Sequence, residues 1–233
     1  MSKILCMVYF TVGLLLISGV PTELFGQREQ RQQRGITPAE AFKEFERKVI
    51  ALDNYQMTFT VSTEGMIESK IEGTITVRGG ERIDLTADGT YDGRRVSVHL
   101  HADGTRLTGG TRAETFEAAA PEDFYSFFVM GYTRLGLSYL IMRLIASEPP
   151  LYPESDEEED EWVEITYIST GERRFVGNVE AFPFGMRYNV FGESMGEGRL
   201  WINVNSGLPF RREGSLRLED GTVNVVEFYG FSR

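Results

Sequence analysis

The stretch TPAEAFKEFERKVIALDNYQMTFTVSTEG, Thr37 to Gly65, changes its hydrophobic period part-way along, and that change sets the fold. Up to Leu52 the apolar residues Phe42, Phe45, Val49 and Leu52 recur at helical spacing and form one stripe. Thr37 stands where a helix cap belongs. Pro38 suits the first helical position, and Glu40 can reach back to complete a capping box. From Tyr55 the period becomes two: Met57, Phe59 and Val61 alternate with Gln56, Thr58 and Thr60, the mark of a strand with one buried face. A helix with a stripe to cover runs straight into strands that can cover it.

Downstream the alternation continues. Ile71, Ile75 and Val77 follow a turn near Glu64 to Ser69, and Gly79-Gly80 turns the chain into Ile83 and Leu85. Arg94 to His101 and Thr105 to Thr108 form a hairpin around Asp103-Gly104, a favoured turn dipeptide. Pro121 to Ala146 breaks the pattern. It is rich in Phe, Leu, Met and Tyr without alternation, and reads as two short, largely buried helices split near Gly131 or Gly136. Arg134 and Arg143 argue against a membrane span there, since a mid-bilayer Arg costs roughly 2.5–3.5 kcal/mol. After Pro149-Pro150 strands resume over 162–169, 173–181, 186–191, 199–204, 209–218 and 222–231. Gly171, Asn205-Ser206-Gly207 and Asp220-Gly221 supply turns. About ten or eleven strands seldom stay flat. The expected fold is mainly β (α+β): a curved antiparallel sheet or half-open β-barrel wrapped around the N-terminal helix and a central helical insert, residues 121–147.

Residues 1–26 read as a signal peptide. Lys3 precedes the apolar run Ile4 to Val20, Pro21 breaks it, and a small residue, Gly26, precedes Gln27. Cys6, the single cysteine, falls within that leader, so the mature chain is expected to carry no disulfide and no thiol nucleophile. Residues 27–36 (QREQRQQRGI) read as a disordered tether, and 37–233 as one domain. Losing Lys3 and Glu23 with the leader keeps the formal net charge at −11, which disfavours nucleic acid as a partner. The acidic run 154–161 lacks the ligand spacing and turn glycine of an EF-hand, and reads as an exposed loop.

No catalytic constellation stands out. His99 and His101 share one strand face, but zinc normally needs a third ligand and none is indicated. There is no Gly-x-Ser-x-Gly elbow, P-loop or dinucleotide fingerprint. With 35 acidic residues some carboxylate pair is always available, and none is singled out. No metal, cofactor or catalytic residue is assigned.

The order of elements resembles the LolA/LolB-like superfamily of periplasmic proteins. An amphipathic helix opens directly into a long strand, and a meander containing YDGRRVSVHL leads to helices. RLWINVNSGLPFRREGSLRLEDG follows, with Leu200-Trp201-Ile202, Gly207-Leu208-Pro209 and Arg211 or Arg212 in the family's strand–turn–strand pattern. The resemblance implies a cup-shaped sheet around helices, in the periplasm of a Gram-negative bacterium, holding an acyl chain. Its implied partners are a lipid or acylated protein, or another periplasmic or envelope protein. No transmembrane span is expected in the mature chain. The family's own lipid contacts do not map residue by residue onto this chain; its apolar residues expected to line such a cavity are Phe59, Ile75, Val77, Phe124, Phe127, Phe128, Leu137, Leu140, Ile141 and Trp201. Departures from the family are the Phe/Leu-rich insert, the acidic run and the lack of a lipobox cysteine. A non-catalytic interaction module with a filled core is the alternative.

N-terminal sequencing of the mature protein is expected to start at or before Gln27, without Cys6. Recovery of intact Met1 from a membrane fraction contradicts this.

Overall fold

The computed structural model describes residues 36–153, 162–218 and 220–232. The expected signal peptide, nearly all of the expected tether and the acidic run at 154–161 lie outside them. Helix α1 (Pro38–Ile50) starts as its sequence dictates. Thr37 Oγ1 accepts the Glu40 N–H at 3.2 Å while Glu40 Oε2 accepts the Thr37 N–H at 2.8 Å, so the capping box is complete. The Asp53 carbonyl then holds the Gly80 N–H at 2.9 Å, which ties the helix exit to the turn between the second and third strands.

The first six strands form a meander: β1 (Asn54–Gly65), β2 (Ser69–Arg78), β3 (Arg82–Tyr91), β4 (Arg94–Asp103), β5 (Arg106–Thr111) and β6 (Thr115–Ala119). Helices α2 (Phe124–Arg134) and α3 (Leu137–Ile145) follow. The chain then continues through β7 (Val163–Thr170), β8 (Arg174–Val176), β9 (Val179–Val190), β10 (Glu193–Asn203), β11 (Pro209–Leu218) and β12 (Gly221–Ser232). All pairings are antiparallel. The order is β6-β5-β4-β3-β2-β1-β12-β11-β10-β9-β7, with β8 also on β9. First and last strands therefore meet at the centre, Phe59 opposite Tyr229 and Val61 opposite Glu227. The sheet is curved and does not close.

Twelve strands stand among the described residues where about ten or eleven are expected. The edge strand β6 (TFEAA) carries almost no alternating apolar signal, and a single pairing with β5 suffices to form it. Pro183 invites a break in the chain, yet β9 runs through it. Its carbonyl accepts the Gly171 N–H at 3.0 Å, and its nitrogen faces the gap where β8 ends and β7 begins, so no ladder bond is lost.

The concave face carries the core. Met57, Phe59, Val61, Ile71, Ile75, Val77, Ile83, Leu85 and Leu100 are buried beneath the helices. Gly73 is required opposite Phe59, because an added Cβ would stand 2.4 Å from that ring. α3 packs against β1, β4, β5 and β12, while α1 packs against α2 and β7. Phe42 and Phe45 of α1 meet Phe184 of β9 with ring centroids 5.2 and 5.9 Å apart, so the stripe covers the far half of the sheet. Among the described residues no helix is long and apolar enough to cross a membrane.

Candidate functional site

Two charged residues stand opposite each other in the middle of this apolar face. Arg212 of β11 and Glu227 of β12 are cross-strand partners, exposed by only 1% and 0%. Neither is paired with the other. The corner between α2 and α3 lies on them instead, at Gly136, whose φ of +94° no side-chain-bearing residue adopts comfortably. A Cβ there would sit 2.6 Å from Glu227 Oε1 and 2.7 Å from Arg212 Nη1.

Each charge answers the helix end above it. Glu227 accepts the Leu137 N–H at 3.0 Å and the Ser138 N–H at 2.8 Å, two of the free donors at the N-terminus of α3. Its third donor is the Tyr229 hydroxyl. Arg212 donates through Nη2 to the Arg134 carbonyl, in the last turn of α2, and to the Tyr188 hydroxyl, both at 3.2 Å. Negative charge thus meets the positive end of α3, and positive charge the negative end of α2. Burial opposes the Arg212 charge. Tyr188, Glu227 and Tyr229 outweigh it and hold its pKa above the ordinary guanidinium value. Burial, reinforced by Glu227, raises the Tyr229 pKa, which keeps that hydroxyl a donor. Two guanidinium nitrogens, Nε and Nη1, have no acceptor among the described residues.

A second, largely buried pair fixes the other side of the hairpin. Arg134 grips Glu46 of α1 with two bonds, Nε to Oε1 at 2.9 Å and Nη2 to Oε2 at 2.8 Å. Nη1 donates to the Val163 carbonyl of β7 at 2.9 Å, and the Thr133 hydroxyl adds a further bond to Glu46 at 2.9 Å. Arg134 therefore joins α1 and β7 with its side chain and β11 with its carbonyl.

Solved structures resemble this fold. No protein-family profile and no curated protein matches the chain. Structures similar to it include MucB in complex with MucA from Pseudomonas aeruginosa, at 14% identity over 82% of this chain, TM-score 0.40. The chain spans 56% of the length of that MucB chain. A LolA superfamily protein from Nitrosomonas europaea is similar at 10% identity over 85% of this chain and 94% of that one, TM-score 0.32. So is a putative outer membrane lipoprotein-sorting protein domain from Vibrio parahaemolyticus, at 8% identity over 81% and 90%, TM-score 0.31.

Of the expected lining, Phe59, Ile75, Val77, Phe124, Phe128, Leu137, Leu140 and Ile141 gather in one core beneath and within the hairpin. Phe127 sits at its rim, edge-on to Trp162 at 5.6 Å. Trp201 is buried elsewhere. It pairs with Pro183 and lies under Arg174 at 4.4 Å and Arg199 at 5.7 Å, on the convex face, while its neighbours Leu200 and Ile202 point inward. Three apolar residues in a row hide which face the middle one takes.

The hairpin fills the cup. The space left among Phe124, Phe128, Tyr139, Leu140, Leu151 and Trp162 is ≈ 30 Å³. That is room for about two waters, against roughly 300–1,000 Å³ for a small-molecule pocket. A larger groove of ≈ 460 Å³ runs between α1, α2 and β7 past Phe42, Ile50, Met130 and Ile168, with Glu46 and Arg134 on its floor. His101 bonds Asp84 at 2.7 Å on the outer face. Among the described residues no three His, Cys, Asp or Glu converge.

Glu46 and Glu227 are absent from the sequence expectation, and Arg212 enters it only as one of two arginines in the strand–turn–strand pattern, though a signal exists for all three. Each is a charge on an otherwise apolar stripe: Glu46 between Phe42 and Val49, Glu227 between Val225 and Tyr229, and Arg212 on the face shared with Leu216.

Glu46→Ala is expected to lower stability by up to about 3 kcal/mol, because it leaves the largely buried Arg134 charge without its carboxylate. Replacing both partners together, Glu46→Leu with Arg134→Met, is expected to recover most of that loss. Urea unfolding measures both; a cost below about 1 kcal/mol for the single change contradicts the desolvated pair.

Proposed function

We propose that this chain is an exported, non-catalytic binding protein for an apolar chain, such as the acyl part of a lipid or acylated protein. The α2–α3 hairpin holds the binding space in the absence of ligand. One observation carries the reading: a hairpin whose seam with the sheet is otherwise apolar is fastened at its corner by buried ionised groups. Apolar residues of similar volume would fasten a permanent core element as well or better, since desolvating charges costs several kcal/mol per ion. Displacing the hairpin opens an aliphatic and aromatic cup, in which each buried methylene of a ligand contributes about 0.8 kcal/mol. Export to the periplasm rests on the apolar run Ile4 to Val20 and the break at Pro21.

The interaction-module reading is favoured by a different observation, the close packing of the hairpin, which leaves only ≈ 30 Å³ among Phe124, Phe128, Leu140 and Trp162. In that case the hairpin is ordinary core, and a partner protein docks outside.

Titration with a fluorescent fatty acid, alongside thermal unfolding, separates the two. Phe127→Ala with Phe128→Ala removes bulk from the hairpin. The carrier reading expects a lower Tm with saturable binding retained or tightened, since less hairpin must be displaced. Binding of micromolar probe to neither form, with Tm alone reduced, leaves the interaction module.

A further inference from the structure

We infer that the hairpin is held by a partner-exchange latch: when it leaves the sheet, Arg212 and Glu227 close into an ion pair with each other. This rests on the reading above, that α2–α3 is displaceable, and adds how the two states are kept close in free energy.

The geometry is a wedge. Residues directly opposite on antiparallel strands have Cβ atoms about 4.5–5.5 Å apart, well within reach for an arginine and a glutamate. Here they do not pair, because the Gly136 backbone stands between their charged ends, with space for no more than a hydrogen on that Cα. With the hairpin seated, the satisfaction of the two charges is uneven. Glu227 holds three donors, two of them the α3 amides. Arg212 has Nε and Nη1 idle. With the hairpin released, Glu227 loses the two amides, but a carboxylate becomes available to those idle guanidinium groups, in the bidentate geometry arginine favours. Neither state leaves a bare charge in the apolar face. Release therefore avoids the penalty that an uncompensated buried ion would impose, and the sheet keeps its charge balance while the apolar cup is exposed to a ligand.

The latch makes an asymmetric demand on charge order. Seated, the hairpin requires the anion on β12 under α3 and the cation on β11 under α2. Released, only opposite signs are required. The exchanged variant Arg212→Glu with Glu227→Arg keeps the cross-strand pair but places each charge against the wrong helix end. It is expected to keep the sheet, by far-ultraviolet circular dichroism, while thermolysin cleaves within residues 124–145 at least about tenfold faster than in the unaltered protein. Apparent affinity for the fluorescent fatty acid is expected to rise by about tenfold or more, since a binding-competent state populated at about 1% costs a hundredfold in apparent affinity. Gly136→Ala is the milder version, for use if the exchange does not fold: it crowds the seated state alone and should shift both readouts the same way. Cleavage and affinity like those of the unaltered protein, in whichever of these variants folds, overturn the latch. Accelerated cleavage with no probe binding by any form supports the latch and removes the apolar ligand.

Discussion

The rest of the structure depends on how two helix ends meet at Gly136. A curved sheet with an apolar concave face must be covered, and α2 and α3 cover it, but a tight corner between helices leaves unpaired carbonyls at one end and unpaired amides at the other. In water these would be solvated. Pressed against the sheet, they need partners of opposite sign, and β11 and β12 provide them side by side in Arg212 and Glu227. The glycine follows from the same constraint, since both charged groups reach the corner's Cα.

From that corner the polar contacts spread outward in one connected set. The Arg134 carbonyl takes Arg212, while the Arg134 side chain takes Glu46 and the Val163 carbonyl. The opening helix, the hairpin, the seventh strand and the last two strands are thereby fixed to one another through groups that cannot be satisfied singly. Around this set the packing is apolar and close, with Phe42, Phe45 and Phe184 on one side and Leu137, Leu140, Ile141 and Leu144 on the other. Burial supplies the bulk of stability, whereas the charges decide where the hairpin sits.

Much of the frame is legible in the residues. The Thr37-Pro38-x-Glu40 start and the alternation from Tyr55 follow from local geometry, as do the Gly79-Gly80 and Asp103-Gly104 turns. Each forms as expected. Strand β6 was not legible, because a five-residue edge strand, Thr-Phe-Glu-Ala-Ala, is too short to show a pattern and is fixed by its neighbour. Pro183 misleads in the opposite direction, since whether a proline ends a strand depends on what lies beside its nitrogen. Trp201 sits in an apolar triplet, so periodicity could not choose its face. The charged set was hidden for a further reason: Glu46 is separated from Arg212 and Glu227 by most of the chain, and all three resemble the solvated charges around them. Only their positions on apolar stripes distinguish them, and their partners are largely backbone groups that no sequence pattern displays.

The central claim is that the hairpin is a separable unit, fastened at a charged corner to a sheet that outlasts it. Native-state amide hydrogen exchange at Leu137 and Ser138, whose N–H groups bond Glu227, tests this most directly, with the amides of β1 and β12 as reference. The account predicts that both exchange together with the rest of α2 and α3, through an opening that costs clearly less than global unfolding. Exchange of hairpin and central-strand amides at one common free energy, reached by global unfolding alone, would contradict it.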